Sequence, residues 1–299
     1  MSAPARSARL ELRLHSNHPE FAEEALFAQG ADAVRQEDAA DNPVLEPAPG
    51  ETPLWQQTVT CGYFAADADA GAIESALREL LPDGAALKIE RRTVFEHDWV
   101  DDWKRYAKLL SFGNGRLWIC PTHHQVDAPG AAIVVLDAGL AFGTGTHPST
   151  ALCLEWLATH ELRGRRVLDF GCGSGILAIA ALKLGADAAI SVDIDPQALI
   201  AARANADANA VGARMRCASV EQFVEETVDI VLANILARPL VGLAPRLSRC
   251  LQAGGAIVLA GLLASQSEEV RTAYAQCFEF DDDVVVDGWS RISGTRRAM

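Results

Sequence analysis

Leu10, Leu12 and Leu14 alternate with Arg9, Glu11 and Arg13 near the start of the chain, the period of a strand with one face in a core. Residues 19–29 follow as a helix, with Asn17 as a possible cap and Gly30 as its stop. Residues 33–38 form a strand candidate. The next stretch holds Pro43, Pro47, Pro49, Gly50 and Pro53, a loop by composition. Trp55, Val59, Cys61 and Tyr63 mark another strand. Ile73, Leu77, Leu80 and Leu81 put an apolar stripe on a helix ended by Pro82-Asp83-Gly84, and residues 87–94 read as a last strand. The order β-α-β-β-α-β predicts a small α+β ferredoxin-like domain over residues 1–97. No residue in it looks catalytic, so recognition of a partner is its most economical use.

From residue 98 the pattern changes period. Trp99, Trp103, Tyr106 and Leu110 fall at steps of four, three and four, which predicts a helix over 98–112 with one apolar face. Such a helix either bridges two domains or packs onto one. Residues 113–299 then alternate between strand and helix signals. Strands are expected at 117–120, 133–136, 166–170, 188–192, 215–217, 228–233 and 256–260, and a closing pair at 279–286 and 289–296. Helices are expected at 149–159, 176–184, 197–209 and 266–276. The prediction is an α/β, Rossmann-like domain in which a doubly wound parallel sheet ends in an antiparallel pair.

The candidate chemistry lies where those strands end. After the strand at 166–170, Gly171, Gly173 and Gly175 crowd a turn, the next helix is almost entirely Ala, Leu and Ile, and the following strand ends on Asp193. Glycines adopt positive φ and let a ligand come close, since no Cβ intervenes. An acid at the end of the second strand can accept hydrogen bonds from both hydroxyls of a ribose. A dinucleotide enzyme would fit the same sketch, but its fingerprint is G-x-G-x-x-G, whereas here the glycines alternate as G-C-G-S-G behind Asp169. D-x-G-x-G-x-G resembles the first motif of the seven-strand methyltransferases that use S-adenosylmethionine, and the positive sulfonium of that molecule suits an anionic loop. Asn234 ends the strand at 228–233 and projects towards the same crevice, although asparagine is also a good helix cap. Gly143, Thr144, Gly145 and Thr146 precede Pro148, so Ser149 and Thr150 fall at a helix N-terminus and form a plausible second wall. His147 can be read as a base, but a lone loop histidine usually is not one.

Composition narrows the classes. At 299 residues two domains are natural, and no apolar run reaches membrane-spanning length. The first residues lack the apolar block of a secretory signal. Seven cysteines without a C-x-x-C pair suit a reducing compartment and argue against a disulfide scaffold or zinc cage. The histidine clusters, His15 with His18 and His123 with His124, read as solvated loop residues, so no metal site is expected. The formal charge is −14, and residues 1–98 carry 8 basic against 18 acidic side chains. So acidic a chain is a poor binder of phosphate backbones, and a macromolecular partner is expected to be basic.

The segments AFGTGTHPST, VLDFGCGSGILAIAALKLGA, VDIDPQAL, LANILARPL and ISGTRR, together with the Trp99 and Trp103 helix and the RLWICP strand, resemble the ribosomal protein L11 methyltransferases, the PrmA family. The motifs run from about Trp99 to the end; the N-terminal part agrees in topology. The resemblance implies a seven-stranded class I methyltransferase domain at 113–299, a linker helix at 98–112 and a substrate-recognition domain at 1–97. It implies a cytoplasmic, monomeric enzyme that trimethylates the α-amino group and lysines of ribosomal protein L11 with S-adenosylmethionine. By motif, Thr150, Gly171, Asp193 and Asn234 become the cofactor contacts, with no catalytic residue assigned. Where the linker of many members continues with phenylalanine and proline, this chain has Tyr106-Ala107-Lys108, which affects the expected hinge.

Overall fold

The computed structural model describes residues 8–16, 18–38, 58–95, 109–122, 124–136 and 145–298. The chain separates into two compact units, Met1–Trp103 and Lys104–Met299. In the first, strands β1 (Ala8–His15), β2 (Ala33–Asp38), β3 (Thr58–Ala65) and β4 (Lys88–Phe95) and helices α1 (Pro19–Ala28) and α2 (Ala70–Leu80) follow the expected order. The sheet runs β2-β3-β1-β4, antiparallel throughout. Leu12 and Leu14 are fully buried with Leu26, Phe64 and Leu77 in the core between sheet and helices, as the leucine alternation requires. Gly62, opposite Leu12, lets α1 close on the sheet, since a Cβ there would lie 2.6 Å from Leu26 Cδ2.

The polar residues of the same strands occupy the other face. Tyr63 donates to buried Glu11 at 3.0 Å, and Arg13 donates to Glu37 at 2.7 Å. Burial and that acceptor push the Tyr63 hydroxyl up to about 12. Two expectations change locally. His15 is a strand residue next to Glu90, not a loop residue. Helix α1 is entered through His18 and Pro19 with no side-chain cap, and Asn17 lies outside the described residues.

The second unit carries two sheets. The smaller joins β5 (Leu110–Phe112), β6 (Leu117–Cys120) and β7 (Ala132–Val135). Leu110 therefore belongs to a strand, paired with Ile119, and not to the end of a helix reaching residue 112. The helical spacing does not exclude this at its last position, because the step of four from Tyr106 to Leu110 also fits a period of two. The stretch 98–108 lies outside the described residues.

The larger sheet runs β10-β9-β8-β11-β12-β15-β13, with β14 also paired to β15. Its strands are β8 (Arg166–Phe170), β9 (Ala188–Asp193), β10 (Met215–Ser219), β11 (Val228–Asn234), β12 (Leu251–Leu263), β13 (Phe278–Phe280), β14 (Val284–Val286) and β15 (Trp289–Arg296). The first five in that spatial order are parallel, and β15 is antiparallel to its neighbours. Helices α3 (Pro148–Thr159), α4 (Ile176–Lys183), α5 (Pro196–Ala208), α6 (Ala237–Arg249) and α7 (Ser267–Tyr274) complete the unit. Alternate residues of β8 enter two different cores, Val167 one and Leu168 and Phe170 the other. This is the two-sided burial of a parallel sheet covered by helices.

The closing pair expected at 279–286 and 289–296 is interrupted. Residues 281–283 are not strand, although the Asp281 N–H still donates to the Ser293 carbonyl at 2.9 Å, so β13 and β14 are separate short strands along one edge of β15. Three consecutive aspartates stand there, and Arg271 pairs with Asp283 while it donates to the Asp281 carbonyl at 3.1 Å.

One side chain completes the smaller sheet. Buried Asn209, following α5, accepts from the Val135 N–H at 2.7 Å and donates to the Val135 carbonyl at 2.6 Å, as a neighbouring strand would. Asn209→Ala leaves both backbone groups without these partners, and a loss of about 2–3 kcal/mol is expected in urea unfolding. A change below about 0.5 kcal/mol would show that solvent replaces the amide.

Candidate functional site at the carboxyl rim of the parallel sheet

Three of the four residues singled out in the sequence stand at the ends of adjacent parallel strands. Gly171 follows β8, Asp193 ends β9 and Asn234 ends β11, and these strands lie in the order β9-β8-β11. The chain leaves β8 to form β9 and β10 on one side and returns to place β11 on the other. The crevice between β8 and β11 is thus the topological switch point, where open α/β sheets bind ligands.

The glycine turn is fixed from both sides. Gly171, Gly173 and Gly175 take φ of +77°, +50° and +79°. The Gly171 and Cys172 N–H groups both donate to the Val192 carbonyl, at 2.7 and 3.0 Å, which ties the turn to β9. On the other side Ile235, just past Asn234, fills the space: a Cβ on Gly171 would lie 2.1 Å from Ile235 Cγ2. Gly261 performs the same service on β12, where a Cβ would approach the Ile235 carbonyl to 2.5 Å at a break in the β12–β15 register. Two glycines from separate strands therefore make room for one isoleucine.

Two carboxylates face this turn from beneath and beside it. Asp193 accepts from the Gly173 N–H at 2.8 Å through Oδ2 and from the Asp195 N–H at 3.0 Å through Oδ1. Each oxygen accepts one bond from the protein and has a second lone pair for a hydroxyl. Asp169 is wholly buried; its Oδ2 accepts from the Ala178 N–H at 3.2 Å, and its Oδ1 has no protein partner. Burial, with the nearby Asp193 charge, pushes the Asp169 carboxyl up to about 7. At this rim it is Asp193, with a lone pair left on each oxygen, that suits hydroxyls and a cationic group better than a phosphate.

Asn234 and Thr150 meet each other. Asn234 Nδ2 donates to Thr150 Oγ1 at 3.1 Å, joining the end of β11 to the first turn of α3. Asn234 does not cap α6, which starts at Ala237 behind Leu236. Thr150 is buried, held there by the α3 N-terminus with Pro148 in its first turn. His147 caps that helix: its Nδ1 accepts from the Ser149 N–H at 3.3 Å and faces Ser149 Oγ at 2.7 Å, and its ring meets Trp289 edge-on at 4.5 Å. Partial desolvation lowers its pKa, and its Nδ1 is taken up by the helix cap. Residues 137–144, which hold the first part of the glycine-rich stretch, lie outside the described residues.

The rim thus unites Gly171, Asp193 and the Asn234–Thr150 pair, and adds Ile235, Gly261 and the buried acid Asp169. The isolated glycine inside an apolar run was the one local sign of Gly261; Ile235 carries no sign, because only the tertiary packing gives it a neighbour. Among the described residues no group of three or more His, Cys, Asp or Glu could hold a metal ion, and all seven cysteines are free.

The Asp169 proton couples folding to pH. The folded protein keeps it up to about pH 7, while an unfolded chain releases it near ~4, so its contribution to stability is complete below ~4 and is lost as pH rises through ~7. Asp169→Asn is expected to flatten the fall in unfolding free energy between about pH 4 and 7. An unaltered slope in urea titrations would show the carboxyl to be ionised throughout.

A family model described as ribosomal protein L11 methyltransferase (PrmA) matches residues 7–297. A ribosomal protein L11 methyltransferase of Shewanella amazonensis is 45% identical over 293 residues, 97% of this chain and 99% of that protein. Its namesake from Azotobacter vinelandii is 49% identical over 276 residues, covering 92% and 94%. The crystal structure of a ribosomal protein L11 methylase from Lactobacillus delbrueckii subsp. bulgaricus superposes with a TM-score of 0.57 at 31% identity, over 63% of this chain and 98% of that one. With a match that runs through both units, the chain belongs to the ribosomal protein L11 methyltransferase family.

Proposed function

We propose that the chain transfers methyl groups from S-adenosylmethionine to amines of ribosomal protein L11, namely its α-amino group and lysine side chains. The observation that carries this reading is the coupling of the glycine turn to Asp193 on one side and the Asn234–Thr150 pair on the other, around an anionic crevice. Asp193 would take the ribose hydroxyls with its remaining lone pairs. Gly171 and the backbone around it would line the nucleoside, and the Asp193 charge would favour the positive sulfonium. When bound, S-adenosylmethionine supplies a methyl group already activated by the positive sulfur.

The protein's task is then alignment and proton control. Methyl transfer to nitrogen needs an uncharged amine lined up with the departing sulfur, and most of the rate comes from that placement. A lysine of pKa ~10.4 is largely charged at neutral pH, and an α-amino group near ~8 much less so. Withdrawal from water lowers either value. With Asn234 Nδ2 turned to Thr150, Asn234 Oδ1 is the atom that accepts an amine hydrogen and aims the lone pair. No covalent nucleophile is needed.

The first unit serves this reading as a recognition domain, and its acidity supports a basic protein partner in preference to RNA. Cytoplasmic location and a monomeric state belong to the same proposal. Among the described residues no helix is long and apolar enough to cross a membrane.

Labelled-methyl transfer to purified ribosomal protein L11, followed by mass mapping, tests the reaction; absence of label on that protein would refute it. Gly171→Ala, which drives a Cβ into Ile235, is expected to weaken S-adenosylmethionine binding at least ~10-fold in calorimetry. Wild-type affinity would remove the turn from the site. Asn234→Ala is expected to lower kcat by about 10²-fold with a smaller effect on cofactor affinity. Thr150→Val, which keeps Asn234 but frees its amide, should cost about tenfold. Unchanged turnover in Asn234→Ala would overturn the alignment role.

A further inference from the structure

We propose that the outer edge of β14 docks an extended, lysine-bearing segment of the polypeptide methyl acceptor as an added strand. This deepens the reading of the chain as a protein methyltransferase and rests on it. Strand β14 consists of Val284, Val285 and Val286, 39%, 49% and 43% exposed. Its neighbour is β15, with Val285 opposite Ser290 and Val286 opposite Trp289, and no described residue pairs with its other edge. Three β-branched residues on an open edge present strong strand formers and unpaired backbone groups to solvent. Proteins ordinarily blunt such edges with lysine, proline or a covering element, and an open one is where an extended peptide adds.

The position and charge of this edge argue for the occupant. Asn234 lies level with Ala260 on β12, and β12 continues to Leu263, which pairs with Trp289. The β14–β15 hairpin, turned by Asp287 and Gly288 at φ of +50° and +79°, therefore rises past the rim on the ligand side. Its turn end joins the site through the contact of Trp289, paired with Val286, with His147, three residues before Thr150. Asp281, Asp282 and Asp283 precede the valines and Asp287 follows them; Asp282 and Asp287 are exposed. A valine strip framed by carboxylates is complementary to an extended segment with apolar and lysine side chains. Strand spacing puts β14 roughly 14 Å from Asn234 across the sheet. The docked segment is thus about four to six extended residues from the reacting amine, which holds the acceptor while successive amines are presented.

The test is steady-state methylation of full-length ribosomal protein L11 by the whole enzyme carrying Val284→Lys with Val286→Lys, which charges and blocks the edge. The KM for the acceptor is expected to rise about tenfold or more, with kcat at saturation and S-adenosylmethionine affinity unchanged. Wild-type KM in a variant that binds S-adenosylmethionine normally would overturn the docking role and leave the proposed reaction intact. If the wild-type enzyme places no label on the acceptor, the reaction itself falls. Should the lysine pair impair folding, Asp282→Asn with Asp287→Asn carries the test alone. That variant is expected to raise KM severalfold and weaken its dependence on salt, and an unchanged KM and salt slope would again overturn the proposal.

Discussion

The approach of Ile235 to the glycine turn is the constraint on which the site depends. The end of β11 can lie beside the end of β8 only because Gly171 has no side chain, and it can lie beside β12 only because Gly261 has none. Were either position larger, Ile235 would be displaced, and Asn234 with it, since the two are consecutive at the strand end. The hydrogen bond from Asn234 to Thr150 would then be lost, and with it the link to α3. Close packing across the switch point thus sets the orientation of a polar side chain several ångströms away, as expected in an interior that transmits displacement instead of absorbing it.

Electrostatics reinforce that geometry. Behind the glycine turn stands one carboxyl that burial pushes up to about 7, and at the rim another whose oxygens accept from backbone N–H groups. Asp169 anchors the first turn of α4 through Ala178, and Asp193 anchors the glycine turn and the entry to α5. Each acid therefore stabilises the loop at the rim, and Asp193 supplies its negative charge. A sulfonium gains from that charge, and a pyrophosphate does not.

The two units divide polar residues differently. In the first, charged residues are paired across a sheet face, as Arg13 with Glu37 and Tyr63 with Glu11. In the second, the polar residues at the rim lie at strand ends, where the parallel ladder stops and backbone and side-chain groups become available to a ligand. This separation explains why a sheet with almost wholly apolar central strands still presents chemistry at one end.

The sequence by itself determined the order of elements, the parallel sheet with its antiparallel closure, and the identity of the glycine turn and Asp193. These are local properties: a period of two or of nearly four, a glycine that no other residue replaces, an acid at the end of an apolar run. It also pointed to Thr150 and Asn234, but by position along the chain and by family motif. Only the tertiary structure decided that these two bond to each other and that Asn234 does not cap a helix, because residues 84 positions apart meet through strand order alone. The same holds for Ile235, for the strand at Leu110–Phe112, and for the break at 281–283 that makes β14 a separate edge. Each depends on which backbone lies alongside which, and periodicity carries no information about neighbours.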